Sequence, residues 1–180
     1  YEISACLVGS EMCIRDRIQT PYVICNGYMY DVLQGISDHA KLQIVLNAVE
    51  KGSNPWGCTD YLNQKKKILE TGADVYELMN DYPVHTKAVL INDRLSVVGS
   101  YNLDMRSTYL DTELMLVIDS EKLNQQIHET ESDYMEKSKE VLANGQETEG
   151  AKYQGKALNR KKKLYYGVLR IIIRPLRQLL

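Results

Sequence analysis

Residues 84–119 read VHTKAVLINDRLSVVGSYNLDMRSTYLDTELMLVID, and this stretch decides the fold. His85-Thr86-Lys87 leads into a short apolar run, Ala88–Ile91. Asn92-Asp93 breaks that run, and a second one, Leu95–Val98, leads into Gly99-Ser100. β-Rich runs separated by an Asn-Asp pair read as two strands joined by a tight turn. Side chains two apart on an extended chain share a face, so His85 and Lys87 point the same way. Ser100 and Asn102 do likewise where the extended conformation continues past Gly99. One imidazole, one ammonium, one hydroxyl and one amide then converge on a single pocket. That set suits a phosphate ester. A neutral imidazole attacks phosphorus and leaves again in a second step. The lysine charge holds the non-bridging oxygens, and Ser and Asn donate hydrogen bonds without adding charge.

An isolated His-x-Lys is an ordinary strand end; the longer pattern gives the pair its weight. That pattern resembles the phospholipase D superfamily signature, H-x-K-x4-D-x6-G-S-x-N. Its continuation through Asn102–Ser107 and Thr112-Glu113-Leu114 is most similar to the C-terminal half of bacterial cardiolipin synthases. The resemblance implies that His85 is one of two active-site histidines, with Lys87, Ser100 and Asn102 around the phosphate. It implies that Glu113 orients a histidine, typically the one from the opposite half. The implied reaction is ping-pong phosphatidyl transfer between phosphatidylglycerols through a phospho-histidine, without cofactor or metal. The implied partners are anionic phospholipid, a membrane surface, and an N-terminal half or second chain carrying the other H-x-K motif. Work at the cytoplasmic face of the cell membrane follows from the same resemblance. Asn92 departs from the signature, which has Asp there. Asn keeps the size and loses the charge, so reduced activity or tolerance is expected.

Two other function classes are open: a homodimeric phospholipase D-type nuclease or phosphodiesterase, and a non-catalytic membrane-peripheral module. With a single motif, the chain alone is expected to be inactive.

Length and composition allow one domain with a sizeable core in 180 residues. Cys6–Arg17 resembles the in-frame translation of a sequencing-library adaptor, so residues 1–17 are expected to be an artefactual leader. Cys25 and Cys58 then remain without a C-x-x-C or metal spacing, and His39 and His128 have no ligand partners at useful spacing. From Ala151 onward there are nine Lys/Arg and no Asp/Glu, whereas the first 150 residues carry 13 basic and 24 acidic residues. An acidic body with a basic tail argues against a nucleic-acid surface.

Strands are expected at Ile18–Cys25, Lys41–Ala48, Asp74–Met79 and Glu113–Asp119, and helices at Gly27–His39, Asp60–Thr71 and Ser120–Asn144. The alternation predicts an α/β fold, a mixed sheet flanked by helices, over residues 18–144. A polar linker is expected at 145–158. Residues 159–180, NRKKKLYYGVLRIIIRPLRQLL, read as a basic amphipathic helix lying on a membrane. Its basic residues are Arg160, Lys161, Lys162 and Lys163, then Arg170, Arg174 and Arg177 on one face. A helix packed on the domain competes with that reading.

Overall fold

The computed structural model describes residues 15–180. In chain order the elements are β1 (Arg15–Gln19), β2 (Val23–Ile24), α1 (Gly27–Ser37), β3 (Lys41–Asn47), α2 (Pro55–Glu70), β4 (Asp74–Leu78), β5 (Ala88–Ile91), β6 (Leu95–Gly99), β7 (Leu103–Asp104), α3 (Met105–Tyr109), β8 (Met115–Asp119), α4 (Glu121–Glu136), β9 (Ser138–Val141), β10 (Glu147–Glu149) and α5 (Arg160–Ile172). A 3-10 turn, Arg174–Leu179, follows. Eight strands form one sheet in the order β10-β9-β4-β3-β1-β5-β6-β8. Its centre, β1, β3 and β4, is parallel. Both flanks are antiparallel. This is the mixed α/β sheet expected.

The period-2 rule sorts the core between the two faces. Leu42, Ile44 and Leu46 of β3 pack with Met29 and Leu33 of α1 and Tyr61 and Ile68 of α2. Val45, with Tyr76 and Leu78 of β4, faces the other way, against Tyr134 and Met135 of α4. A strand covered on both faces carries apolar residues at consecutive positions, which is why β3 reads Ile-Val-Leu without alternation. The helices start where their caps dictate. Asn26 Oδ1 accepts from Met29 N–H at 3.0 Å, and Ser120 Oγ from Leu123 N–H at 3.3 Å. Asn54 caps α2 with Pro55 at its first position. The helix therefore begins five residues ahead of the expected Asp60, and Trp56 lies in its first turn rather than in a loop.

Further expectations are corrected. The strand foreseen at Ile18–Cys25 is split, since Thr20-Pro21-Tyr22 separates β1 from β2, which pairs with β7 instead. The helix foreseen to Asn144 stops at Glu136, and Ser138–Val141 joins the sheet beside β4, with Val141 opposite Val75. Gly145, at φ 83°, serves the turn between β9 and β10 rather than a helix end. The 145–158 stretch is thus not wholly a linker, because Glu147–Glu149 is an edge strand. Residues 1–14 of the expected leader lie outside the described residues. Arg15–Arg17 form the first part of β1, so the boundary drawn at Ile18 falls inside a strand.

The C-terminal helix packs on α2, burying Tyr166, Leu169 and Ile173. Arg170 and Arg177 serve the protein rather than pointing outward together. Arg170 Nε donates to Asn63 Oδ1 at 2.8 Å. Arg177 Nε donates to the fully buried Asp60 at 2.7 Å, and its guanidinium also reaches the Cys25 carbonyl. Arg160, Lys161, Lys162, Lys163 and Arg174 remain exposed. Among the described residues no helix is long and apolar enough to cross a membrane.

Candidate active site

The motif residues gather at one edge of the sheet. Gln19 pairs with Ala88, Ala88 with Val98, and Gly99 with Met115, so the ends of β1 and β6 are level with the starts of β5 and β8. His85 and Lys87 precede β5, Ser100 and Asn102 follow β6, and Glu113 precedes β8. This is also the carboxyl edge of the parallel strands, where α/β sheets place their ligands.

Asn47, the last residue of β3, fixes the chain just ahead of His85. Its Nδ2 donates to Val84 O at 2.8 Å and Pro21 O at 3.1 Å, and its Oδ1 accepts from Val84 N–H at 2.8 Å. Sequence reasoning missed this positioning residue, because one Asn closing an apolar run forms no motif. Lys87 is 8% exposed, while the His85 ring lies open to solvent. Lys87 Nζ lies 2.6 Å from His85 Nδ1 and donates to the His85 carbonyl at 2.8 Å. Desolvation first, then the Lys87 charge, hold the His85 pKa below its ordinary value. Burial lowers the Lys87 pKa as well, opposed by the carboxylates of Glu113 and Asp104.

Across the site, Ser100 donates its hydroxyl hydrogen to Glu113 Oε2 and accepts from Leu114 N–H at 3.0 Å. Hydrogen bonds from Ser100 and Ser107 hold the Glu113 carboxyl below the usual range, with Lys87 adding to them. Ser107 Oγ accepts from Asn102 N–H at 3.3 Å and from Asn102 Nδ2 at 3.4 Å. The Ser107 N–H in turn donates to Asp104 Oδ1 at 2.6 Å. Asn102 Oδ1 is buried without a partner.

The five side chains thus form two groups, His85 with Lys87 and Ser100 with Glu113, beside the Asn102–Ser107 pair. The field between Lys87 and Glu113 couples them. Among the described residues Glu113 hydrogen-bonds to no histidine. Gly99 permits the close approach of β6 and β8, since a Cβ there would lie 2.0 Å from Leu114 O. Next to the site β8 is the outermost strand of the sheet among the described residues, and Leu114, Leu116 and Val117 are exposed along it. Asn92 lies at the far end of β5, ~16 Å from Lys87 along an extended chain.

The family model described as "Cardiolipin synthase, PLD-like domain" matches residues 14–133. The chain belongs to this phospholipase D-like family. Among curated relatives, cardiolipin synthase A of Serratia proteamaculans is 31% identical over 124 residues, covering 66% of this chain and 24% of the relative. Cardiolipin synthase A of Proteus mirabilis is 32% identical over 127 residues, covering 68% and 25%. The chain therefore spans about a quarter of the length of the curated relatives it matches. The fold is shared with phosphatidylserine synthase of Haemophilus influenzae, at a TM-score of 0.64 and 16% identity over 92% of this chain and 42% of that one. It is shared too with Nuc, a phospholipase D family member of Salmonella typhimurium, at a TM-score of 0.58 and 15% identity over 78% and 85%. The phospholipase D-like domain is thus matched by the family model over residues 14–133 and by the architecture of these structures.

Proposed function

We propose that this domain supplies one of the two histidines of a cardiolipin synthase-like phosphatidyltransferase acting on phosphatidylglycerol at the cytoplasmic face of the cell membrane. The His85–Lys87 pair carries the reading: an exposed imidazole kept neutral against a buried ammonium. An unprotonated ring nitrogen has the lone pair needed to attack phosphorus, and the ammonium opposes the charge that gathers on the phosphoryl oxygens. In the first step one of the two histidines, His85 or its counterpart, forms an N–P bond to phosphatidylglycerol. The P–O bond to glycerol breaks, and the opposite histidine protonates the departing alkoxide. In the second step that histidine takes the proton from the terminal hydroxyl of another phosphatidylglycerol, whose oxygen displaces the imidazole. The products are cardiolipin and glycerol. Lys87, Ser100 and Asn102 bind the non-bridging oxygens, and Glu113 positions the partner histidine.

One histidine cannot act as nucleophile and acid in the same step, so the chain alone is inactive on this scheme. The open edge at β8 is the natural seat for the half that completes it. The test is cardiolipin formation from phosphatidylglycerol vesicles by the chain alone and by the chain fused behind the N-terminal half of a cardiolipin synthase A. Cardiolipin should form only in the fusion, and His85→Ala should lower the rate by at least about a thousandfold. Substantial activity in that variant would remove His85 from the chemistry. A second reading, a homodimeric phospholipase D-type nuclease, draws on the overlap with 85% of the Nuc chain. The acidic body opposes it, because phosphate-backbone binding rests on cations. Salt-sensitive DNA cleavage by the chain alone would favour it.

A further inference from the structure

We infer that the outward face of α5 docks on an anionic phospholipid surface. The helix buries Tyr166, Leu169 and Ile173 against the domain. A helix lying on a protein surface ordinarily turns charged residues outward, yet here the opposite side is apolar as well. Leu164, Val168 and Ile171, spaced four and three apart, are 72%, 51% and 69% exposed, with Tyr165 and Ile172 beside them. A row of this kind is a binding face rather than scattered exposure.

The occupant follows from the charges around the row. The first turn of α5 is Arg160-Lys161-Lys162-Lys163 with no acidic residue, and among the described residues no ion pair engages these four. They stand at the positive end of the helix dipole, where cations are disfavoured. That conflict is relieved when a layer of anions meets the first turn. A membrane of anionic lipid supplies both needs, phosphates for the basic turn and the headgroup–acyl boundary for Leu164, Val168 and Ile171. The acidic body is repelled by the same surface, so the tail fixes which side faces the lipid. Arg177 ties the tail to Asp60 of α2, so the docked helix carries the folded domain with it.

The inference stands apart from the catalytic reading, because it is read out by binding without turnover. The full chain is floated with vesicles of equal parts phosphatidylglycerol and phosphatidylcholine, or of phosphatidylcholine alone. Binding to the anionic vesicles and little to the neutral ones is expected. Leu164→Ser/Val168→Ser/Ile171→Ser should weaken it by about two orders of magnitude with helix content preserved in circular dichroism. Lys161→Gln/Lys163→Gln should weaken it by about tenfold or more and flatten its salt dependence. Equal binding to both vesicles, or full binding by the triple serine variant, would overturn the inference. So would a lipid-free dimer that the triple serine variant dissolves, since a second copy would then be the occupant.

Discussion

At 2.6 Å the His85 ring and the Lys87 ammonium cannot comfortably both be charged. Desolvation, and after it the Lys87 charge, holds the imidazole's pKa below its ordinary value. H-x-K was legible because an extended chain brings residues two apart to one side. Asn92 teaches the opposite lesson. The signature reading treated it as a lost charge, whereas its backbone sits at φ 53° in the β5–β6 turn, a left-handed conformation that Asn accepts more readily than most residues. We expect Asn92→Ala to destabilise the domain by about 1–2 kcal/mol, with Asn92→Gly close to neutral, both read from thermal melts. Asn92→Asp should leave stability nearly unchanged, since Asp also visits this conformation. A larger loss for Asp than for Ala would show that charge, not backbone geometry, governs the position.

Elements were legible where local pattern and tertiary environment agree. β5 and β6 are bounded by turn residues, and α1 and α4 are opened by Asn26 and Ser120, side chains that cap on their own. β9 was not legible. Ser138-Lys139-Glu140-Val141 has no apolar alternation, and it becomes a strand because β4 offers it a partner more than sixty residues back in the chain. The tail was legible as a helix but not in its inner contacts, because the Arg177–Asp60 pair spans 117 residues. Removing Arg177 leaves a buried carboxylate uncompensated, so Arg177→Ala should cost about 3 kcal/mol in chemical denaturation. Asp60→Asn in the same background should recover part of that loss. No recovery would mean that Arg177 acts through packing instead.

Across the whole molecule a polar network lies between the sheet and α4. Arg17 Nη1 donates to Glu131 Oε2 at 3.4 Å and its Nη2 to Gln43 Oε1 at 3.3 Å; Gln43 Nε2 donates to the Tyr76 hydroxyl at 3.1 Å. Burial pushes the Glu131 carboxyl from 4.5 up to about 7, against the pull of Arg17. A raised carboxyl binds its proton more tightly in the folded state. Its contribution is therefore complete below about pH 4.5 and is lost as pH rises through about 7. Between these limits Glu131 should make the protein melt higher on acidification, and Glu131→Gln should flatten that slope. An unchanged slope in the variant would assign the pH dependence to other groups. Nothing in the sequence marked this network, since its members belong to strands and a helix far apart in the chain. The same global view gives the bare rim at β8 a second meaning. Among the described residues no further strand pairs with its outer backbone groups, which, bordered by Leu114, Leu116 and Val117, form a template for sheet extension by a strand that reaches them. Unless that rim is capped, the self-associated fraction of the domain will rise with concentration, and Val117→Lys would act as a gatekeeper against fibrous self-association.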